Sequence, residues 1–104
     1  MLYAIIASDT PNAGALRPRV RERHLAHLKP LLDQGRVVFA GPHPAIDSPD
    51  PGPAGFTGSL MIVEFESIER AKDWSAKDPY VAEGVFGEVE IKVRSAPNSG
   101  AGSS

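Results

Sequence analysis

The histidine at position 24 is the side chain in this sequence best suited to move a proton. It lies in the stretch RVRERHLAHL (residues 19–28), which follows a helical period. At about 100° per residue, Val20, Leu28 and Leu31 fall within roughly 40° of His24, so the imidazole lies near the centre of an apolar stripe. A histidine in such a position is either a hydrogen-bonded core residue or a general base, because imidazole gains and loses a proton near neutral pH.

Two further side chains could complete an acid–base site around this histidine. Arg17 falls on the same line of the helix, about 20° away and two turns earlier, and a buried guanidinium needs an anion or water. Asp78 precedes Pro79 in SAKDPYV (residues 75–81), a turn after the second predicted helix. If both helices lie side by side on one sheet face, Asp78 could reach the first helix. An Asp–His pair fixes the imidazole tautomer, as a general base requires.

Metal binding is the alternative use of the histidines. His24 and His27 share a helical face and His43 follows the next strand, so the three could hold zinc. His27 lies about 60° from the line of His24, however, and no carboxylate stands at a supporting helical spacing. We therefore predict no metal site. No glycine-rich phosphate loop opens a helix, and no cofactor is predicted. Ser59, which begins a strand after GFTG, could present its hydroxyl to a pocket.

Six regular elements must position these residues. Their order, β-α-β-β-α-β, indicates an α+β fold, the ferredoxin-like plait with both helices on one face of an antiparallel sheet. Because the strands are apolar on both sides, we expect a second copy to cover the other face. The predicted strands are LYAIIAS (2–8), RVVFAG (36–41), SLMIVEFE (59–66) and EVEIKVR (88–94), and the predicted helices are 15–34 and SIERAKDWSA (67–76).

The element boundaries come from capping and breaking residues. Gly35 is predicted to end the first helix and Ser67 to cap the second, while Pro30 is predicted to bend the last turn of the first. DPYVAEGVF is predicted to form a turn with one short helical turn. The stretch from Gly41 to Gly58 contains five prolines and four glycines, so we predict an ordered flap without regular structure. We predict a domain over residues 1–94 and a flexible tail over 95–104.

Composition excludes several classes of function. The 104 residues suffice for one domain, and without cysteine neither a disulfide nor a thiolate metal site can form. A net charge of −2 with both signs interspersed argues against nucleic-acid and anionic-membrane partners. The apolar run at the start is too short to cross a membrane. We therefore expect a soluble cytoplasmic domain.

Several long stretches together resemble the YCII-related (YciI-like) family of small bacterial proteins. They are MLYAIIASD, RERHLAHL, GRVVFAGPHPAIDSPDPGPAGFTGSLMIVEFES, AKDWSAKDPYVAEGVF and EVEIKV, which span residue 1 to about residue 93. The resemblance implies a dimeric α/β-barrel, in which two plaits pack sheet to sheet. It also implies a cleft with a His–Asp dyad, carried here by His24 of RxxHL and Asp78 of DPY. Arg17, Ser59 and Tyr80 lie in or beside matching segments and are the expected substrate-binding residues.

The resemblance also implies an activity. The concrete reaction associated with the family is dehydrochlorination of chlorinated hydroxyquinol-type rings in aromatic degradation, and related dimeric barrels include muconolactone isomerases. We therefore expect a cofactor-independent lyase in which His24 moves a proton, Asp78 orients it and Arg17 holds an oxygen anion of a small cyclic substrate. Three alternatives remain open: an isomerase of the muconolactone type, a non-catalytic dimer that binds a small anion, and a metal-dependent enzyme.

Overall fold

The computed structural model describes residues 1–95 of the chain, and Ser95 is the one residue of the predicted tail (95–104) that falls inside it. Four antiparallel strands, β1 (Leu2–Asp9), β2 (Val37–Pro44), β3 (Phe56–Glu64) and β4 (Phe86–Arg94), form a sheet in the order β2-β3-β1-β4. The predicted order β-α-β-β-α-β is confirmed, as is the short helical turn before the last strand. The helices are α1 (Ala13–Asp33), α2 (Ile68–Ala76) and α3 (Pro79–Ala82).

The core consists of two apolar clusters under α1. Alternate residues of β1 and β3 point towards the helices, because side chains along a strand alternate between its faces. One cluster contains Leu28 and the other Val20, both on the predicted stripe of α1. His24 lies one turn from each, so it sits at the junction of the two clusters. The buried apolar residues of β1 and β3 are Tyr3, Ile5, Ala7, Met61 and Val63.

Helix α1 continues through two prolines and ends at a glycine. Pro18 and Pro30 both lie inside the helix, so Pro30 does not end it. Gly35 adopts a φ of +68°, a left-handed conformation that glycine tolerates best. Its N–H donates to the carbonyl of Leu32 at 3.0 Å, and the N–H of Arg36 donates to that of Leu31 at 3.0 Å. The predicted stop at Gly35 is confirmed.

The prediction that residues 41–58 lack regular structure is wrong at both ends. β2 runs through Pro44 and β3 begins at Phe56, so a hairpin extends into the proline-rich stretch. Pro42 pairs with Ser59, and Pro44 pairs with Phe56. The prolines are accommodated because β2 is an edge strand with one neighbour, where a missing N–H need not break the ladder. Only residues 45–55, which include a short 3₁₀ turn at Gly52–Ala54, connect the two strands.

Two capping residues fix the starts of α2 and α3, the two helices that follow β3. The hydroxyl of Ser67 accepts from the N–H of Arg70 at 3.2 Å, which confirms the predicted cap of α2. Asp78 caps α3 in the same way, accepting from the N–H of Tyr80 at 2.9 Å. Pro79 occupies the first position of α3, where its missing N–H costs nothing. These caps turn the carboxylate of Asp78 towards α1.

The sheet face opposite the helices carries an apolar centre. Leu60 pairs with Ile6 and Ile62 pairs with Ala4, and all four side chains are only partly buried. Phe39 of β2 is 51% exposed beside them. Charged residues of β4 border this centre on one side. Among residues 1–95, no helix combines the length and the apolar character needed to cross a membrane.

Candidate active site

The side chains of His24 and Asp78 are in direct contact. Nδ1 of His24 lies 2.8 Å from Oδ1 and 3.0 Å from Oδ2 of Asp78, whose side chain is 1% exposed. A carboxylate can only accept hydrogen bonds, so the contact places the imidazole hydrogen on Nδ1. The lone pair of Nε2 is then available. The sequence-predicted proximity of these two residues is therefore found, across 54 positions of the chain.

The free nitrogen of His24 faces open space. Every buried side-chain nitrogen and oxygen within residues 1–95 has a hydrogen-bond partner. Nε2 of His24 has none, so it is accessible. The ring is held flat against Tyr80, with centroids 4.0 Å apart and an interplanar angle of 4°, and the edge of Phe86 meets it at 83°. The imidazole is thus fixed in orientation by one hydrogen-bonded edge and two aromatic contacts.

Tyr80 combines a buried ring with an accessible hydroxyl. The residue is 3% exposed, its phenol oxygen reaches the surface of the cleft, and the guanidinium of Arg17 lies close enough to that oxygen to donate a hydrogen bond to it. Burial raises the pKa of the Tyr80 phenol above 10.0, and the positive charges of Arg17 and Arg21 offset part of that rise. The phenol is therefore a neutral donor at ordinary pH.

We expect Tyr80 to make the protein less stable in alkali. The folded state favours the neutral phenol, so its contribution to the free energy of unfolding is complete below the unfolded pKa of about 10 and is lost as pH rises through the folded pKa. Urea unfolding of the wild type and Tyr80→Phe on either side of about pH 10 measures this. The wild type should lose more stability than the variant. An equal loss in both proteins would contradict the prediction.

Arg17 has an internal partner, which revises its predicted role. Its Nε and Nη2 atoms donate to the two carboxylate oxygens of Asp9, each at 2.8 Å. Nη2 also donates to the carbonyl of Gly58 and to Oγ of Ser59, both at 3.2 Å. The anion that Arg17 was predicted to need is therefore supplied by the chain itself, and only Nη1 remains without a partner among residues 1–95.

Three aromatic rings surround the guanidinium of Arg17. Its Cζ atom lies 5.3 Å from the ring centre of Phe56, 5.4 Å from that of Tyr80 and 5.8 Å from that of Phe86. Cation–π attraction strengthens when the cation is partly desolvated, and the Arg17 side chain is 13% exposed. Arg17 thus joins β3, α3 and β4 at one point. The predicted substrate-binding residues Arg17, Ser59 and Tyr80 are all brought together here.

Two adjoining clefts open onto this group of residues. The inner cleft, about 190 Å³, is bounded by His24, Leu28, Ser59 and Met61. The outer cleft, about 680 Å³, lies between the start of α1 and the tip of the hairpin and is bounded by Gly14, Pro18, Pro53 and Phe56. A common wall separates them, formed by Arg17, Arg21, Pro42 and Tyr80.

Sequence reasoning missed Asp9 and Arg21 as members of the site. Asp9 ends β1 just before TPNAG, where an aspartate reads as a turn residue. Arg21 is the arginine of the RxxHL stretch, four residues after Arg17 and three before His24, so a helical wheel places it beside them. That spacing was a usable signal.

The other two histidines are not arranged with His24 as metal ligands. Nε2 of His27 lies 2.8 Å from the carbonyl oxygen of Trp74, and its ring stacks on Trp74 at 4.4 Å. His43 is exposed on β2. Within the part of the chain that the structure describes, no three His, Cys, Asp or Glu side chains are grouped to hold a metal ion. The set His24, His27 and His43 does not form the predicted alternative site.

Comparison with known proteins finds a family model and relatives that match this chain. The model of the YCII-related domain matches residues 1–95. Protein YciI of Escherichia coli O6:H1 is 54% identical over 92 residues, which cover 88% of this chain and 94% of that protein. The "derivative of benzaldehyde biosynthesis cluster protein C" of Emericella nidulans is 32% identical over 98 residues, 88% of this chain and 94% of that protein.

A solved structure resembles the fold over almost its whole length. It is the 5-chloro-2-hydroxyhydroquinone dehydrochlorinase TftG of Burkholderia phenoliruptrix, in complex with 2,5-dihydroxybenzoquinone. The TM-score is 0.80 at 26% sequence identity, and the match covers 93% of this chain and 96% of that one. The structural neighbour therefore shares the ferredoxin-like fold described above and binds a small oxygenated ring.

Proposed function

The chain belongs to the YCII-related family, and from that premise we propose that it is a cofactor-independent lyase that removes HCl from a chlorinated hydroxyquinol-type ring in aromatic degradation. The observation that carries this proposal is the free Nε2 of His24 at the inner cleft, with Nδ1 held by Asp78. The dehydrochlorinase activity of the structural neighbour supports the choice of reaction. The geometry of the imidazole supports a general acid–base role for it in this proposal.

The proposed reaction needs only proton transfers and the departure of chloride. With 5-chloro-2-hydroxyhydroquinone as substrate, Nε2 of His24 accepts a proton from one ring hydroxyl and returns it to the carbon that bears chlorine. A second hydroxyl loses its proton to solvent, and chloride leaves with the electrons of the C–Cl bond. The ring becomes 2-hydroxybenzoquinone, and one HCl has been lost. No external oxidant is required, because the ring itself is oxidised as chloride departs.

The neighbouring side chains would assist by holding charge and orientation. Asp78 would stabilise the imidazolium that forms when Nε2 takes the proton, without becoming protonated itself. The neutral Tyr80 phenol and Nη1 of Arg17 would donate to the oxygen that becomes negative, since preorganised donors stabilise developing charge. Asp9 would keep Arg17 in place, so that no reorganisation is needed during the reaction.

A stoichiometric assay tests the proposal. Purified protein incubated anaerobically with 5-chloro-2-hydroxyhydroquinone should release one chloride for each quinone formed, at a rate proportional to protein concentration. The rate should be unchanged by a chelator, since proton transfer by His24 is sufficient. A chelator-dependent rate would favour the metal-dependent alternative. No chloride release above the protein-free control would contradict the assignment.

We further propose that two copies pack sheet to sheet in the cytoplasm. The partly buried centre formed by Ile6, Leu60 and Ile62 has the apolar character of a homodimer interface. The cysteine-free sequence suits a reducing compartment. Light scattering should give twice the 11.1 kDa chain mass, and cell fractionation should find the protein in the cytoplasm. A monomer mass at micromolar concentration would contradict the dimer.

A further inference from the structure

The inner cleft alone is small for a binding site. Its volume of about 190 Å³ falls below the range of about 300–1,000 Å³ in which ligand pockets are usually found, whereas the outer cleft, at about 680 Å³, lies within it. The two share the wall that contains Arg17, Arg21, Pro42 and Tyr80. A ring that faces Nε2 of His24 in the inner cleft can therefore extend a substituent past this wall into the outer cleft.

The two arginines on the shared wall differ in whether a neighbouring side chain neutralises their charge. Arg17 is neutralised by Asp9 through two hydrogen bonds, so the pair presents little net charge. Arg21 borders both clefts, and within residues 1–95 its guanidinium has neither a hydrogen bond nor an ion pair. Within residues 1–95, Asp9 is the only carboxylate bordering the outer cleft, and both its oxygens accept hydrogen bonds from Arg17. The wall therefore carries one uncompensated positive charge.

The rest of the outer cleft is apolar. Pro18, Pro53 and Phe56 bound it, together with glycines that leave room for a substituent. An apolar pocket with a single unpaired guanidinium favours a group that is apolar along its length and anionic at one end, because arginine binds carboxylates through charge-assisted hydrogen bonds.

We propose that the outer cleft is a subsite for an acidic substituent of the substrate, and that Arg21 binds its carboxylate. The substrate class is then a hydroxylated aromatic ring with a short carboxylate-bearing side chain, of which the unsubstituted ring is the smallest member. This inference rests on the proposed function, since it takes the inner cleft beside His24 as the place of the reacting ring.

Binding of two matched probes tests the subsite. The probes are 2,5-dihydroxyphenylacetate and its neutral methyl ester, which differ in one charge, and binding is measured by calorimetry under anaerobic conditions. The wild type should bind the acid about tenfold more tightly than the ester, as a charge-assisted hydrogen bond allows. Arg21→Gln should abolish this preference. Arg19→Gln is the matched control, because Arg19 is, like Arg21, an exposed arginine of α1, but it borders neither cleft, and the variant should keep the preference.

A second variant tests the location. A Cβ atom at Gly14 would meet nothing within 4 Å, so Gly14→Leu should fold and fill part of the outer cleft. It should weaken binding of both probes. The subsite is overturned if Arg21→Gln keeps the preference, if the wild type shows none or binds neither probe, or if Gly14→Leu binds both unchanged.

The probes carry no chlorine, so these measurements do not depend on turnover. If the wild type shows no preference for the acid but dehydrochlorination depends on His24, only the inference about the outer cleft is overturned. Full turnover without His24, with the acid preference intact, would overturn only the proposed function.

Discussion

Replacing His24 with alanine is expected to lower the turnover of 5-chloro-2-hydroxyhydroquinone by about 10²–10⁴-fold, the usual contribution of a positioned general acid or base. The substitution removes the only imidazole nitrogen that borders the inner cleft within the described residues. It leaves the donors Tyr80 and Arg17 in place, so substrate should still bind. Initial rates of chloride release at saturating substrate measure the effect on chemistry separately from the effect on binding.

Three further variants make this result specific. His43→Ala removes an exposed histidine that borders neither cleft and should keep wild-type turnover. Asp78→Asn should also lower turnover, because an amide no longer stabilises the imidazolium, while it keeps the cap of α3. His24→Gln should keep ring binding. If His24→Gln keeps ring binding and neither the wild type nor His24→Ala releases chloride, the protein is the non-catalytic anion-binding dimer instead. Thermal unfolding of each variant excludes loss of the fold.

Replacing Gly58 with alanine is expected to lower the free energy of unfolding by about 3 kcal/mol, the upper range for overpacking a well-packed interior. A Cβ atom there would lie 2.0 Å from the carbonyl oxygen of Ala7, far inside van der Waals contact. That atom is backbone, so β1 and β3, the two central strands, would have to separate. The carbonyl of Gly58 would also move away from Arg17. Urea unfolding followed by circular dichroism measures the loss.

Gly14→Ala is the matched control for this prediction. It adds the same methyl group to the second position of α1, where nothing lies within 4 Å, so it should change the free energy of unfolding by less than about 0.5 kcal/mol. A Gly58→Ala variant as stable as the wild type would show that the two central strands tolerate an extra methyl group. The Gly58 position would then need another explanation than close approach of the backbones.

The helical wheel was sufficient to find His24 but not to find everything that holds it. The position of His24 among Val20, Leu28 and Leu31 predicted an inward imidazole, and the turn at DPY offered Asp78 as its partner. The face-to-face stacking with Tyr80 could not be predicted, because ring orientation depends on how α3 is aimed by the cap at Asp78. The orientation of α3 relative to α1 depends on tertiary packing. The sequence supplies the cap residue but not the angle between α3 and α1.

For Arg17, the sequence predicted the position of the side chain but not its partner. Its inward direction and its need for an anion were predicted correctly, yet the anion was sought in a substrate. Asp9 was overlooked because an aspartate before the turn TPNAG has an ordinary local explanation. Its reach to Arg17 depends on the packing of β1 against α1. Similarly, the prolines of β2 were interpreted as breakers, because a sequence does not reveal which strand will lie at an edge.

Those same prolines limit how this sheet can grow. An exposed strand border normally presents a row of backbone donors and acceptors on which another chain can add a strand, as in amyloid fibrils. Pro42 and Pro44 remove two of the donors from the border that β2 would offer. Lateral polymerisation through this border is therefore disfavoured, which suits the proposed association of two chains through the apolar sheet face.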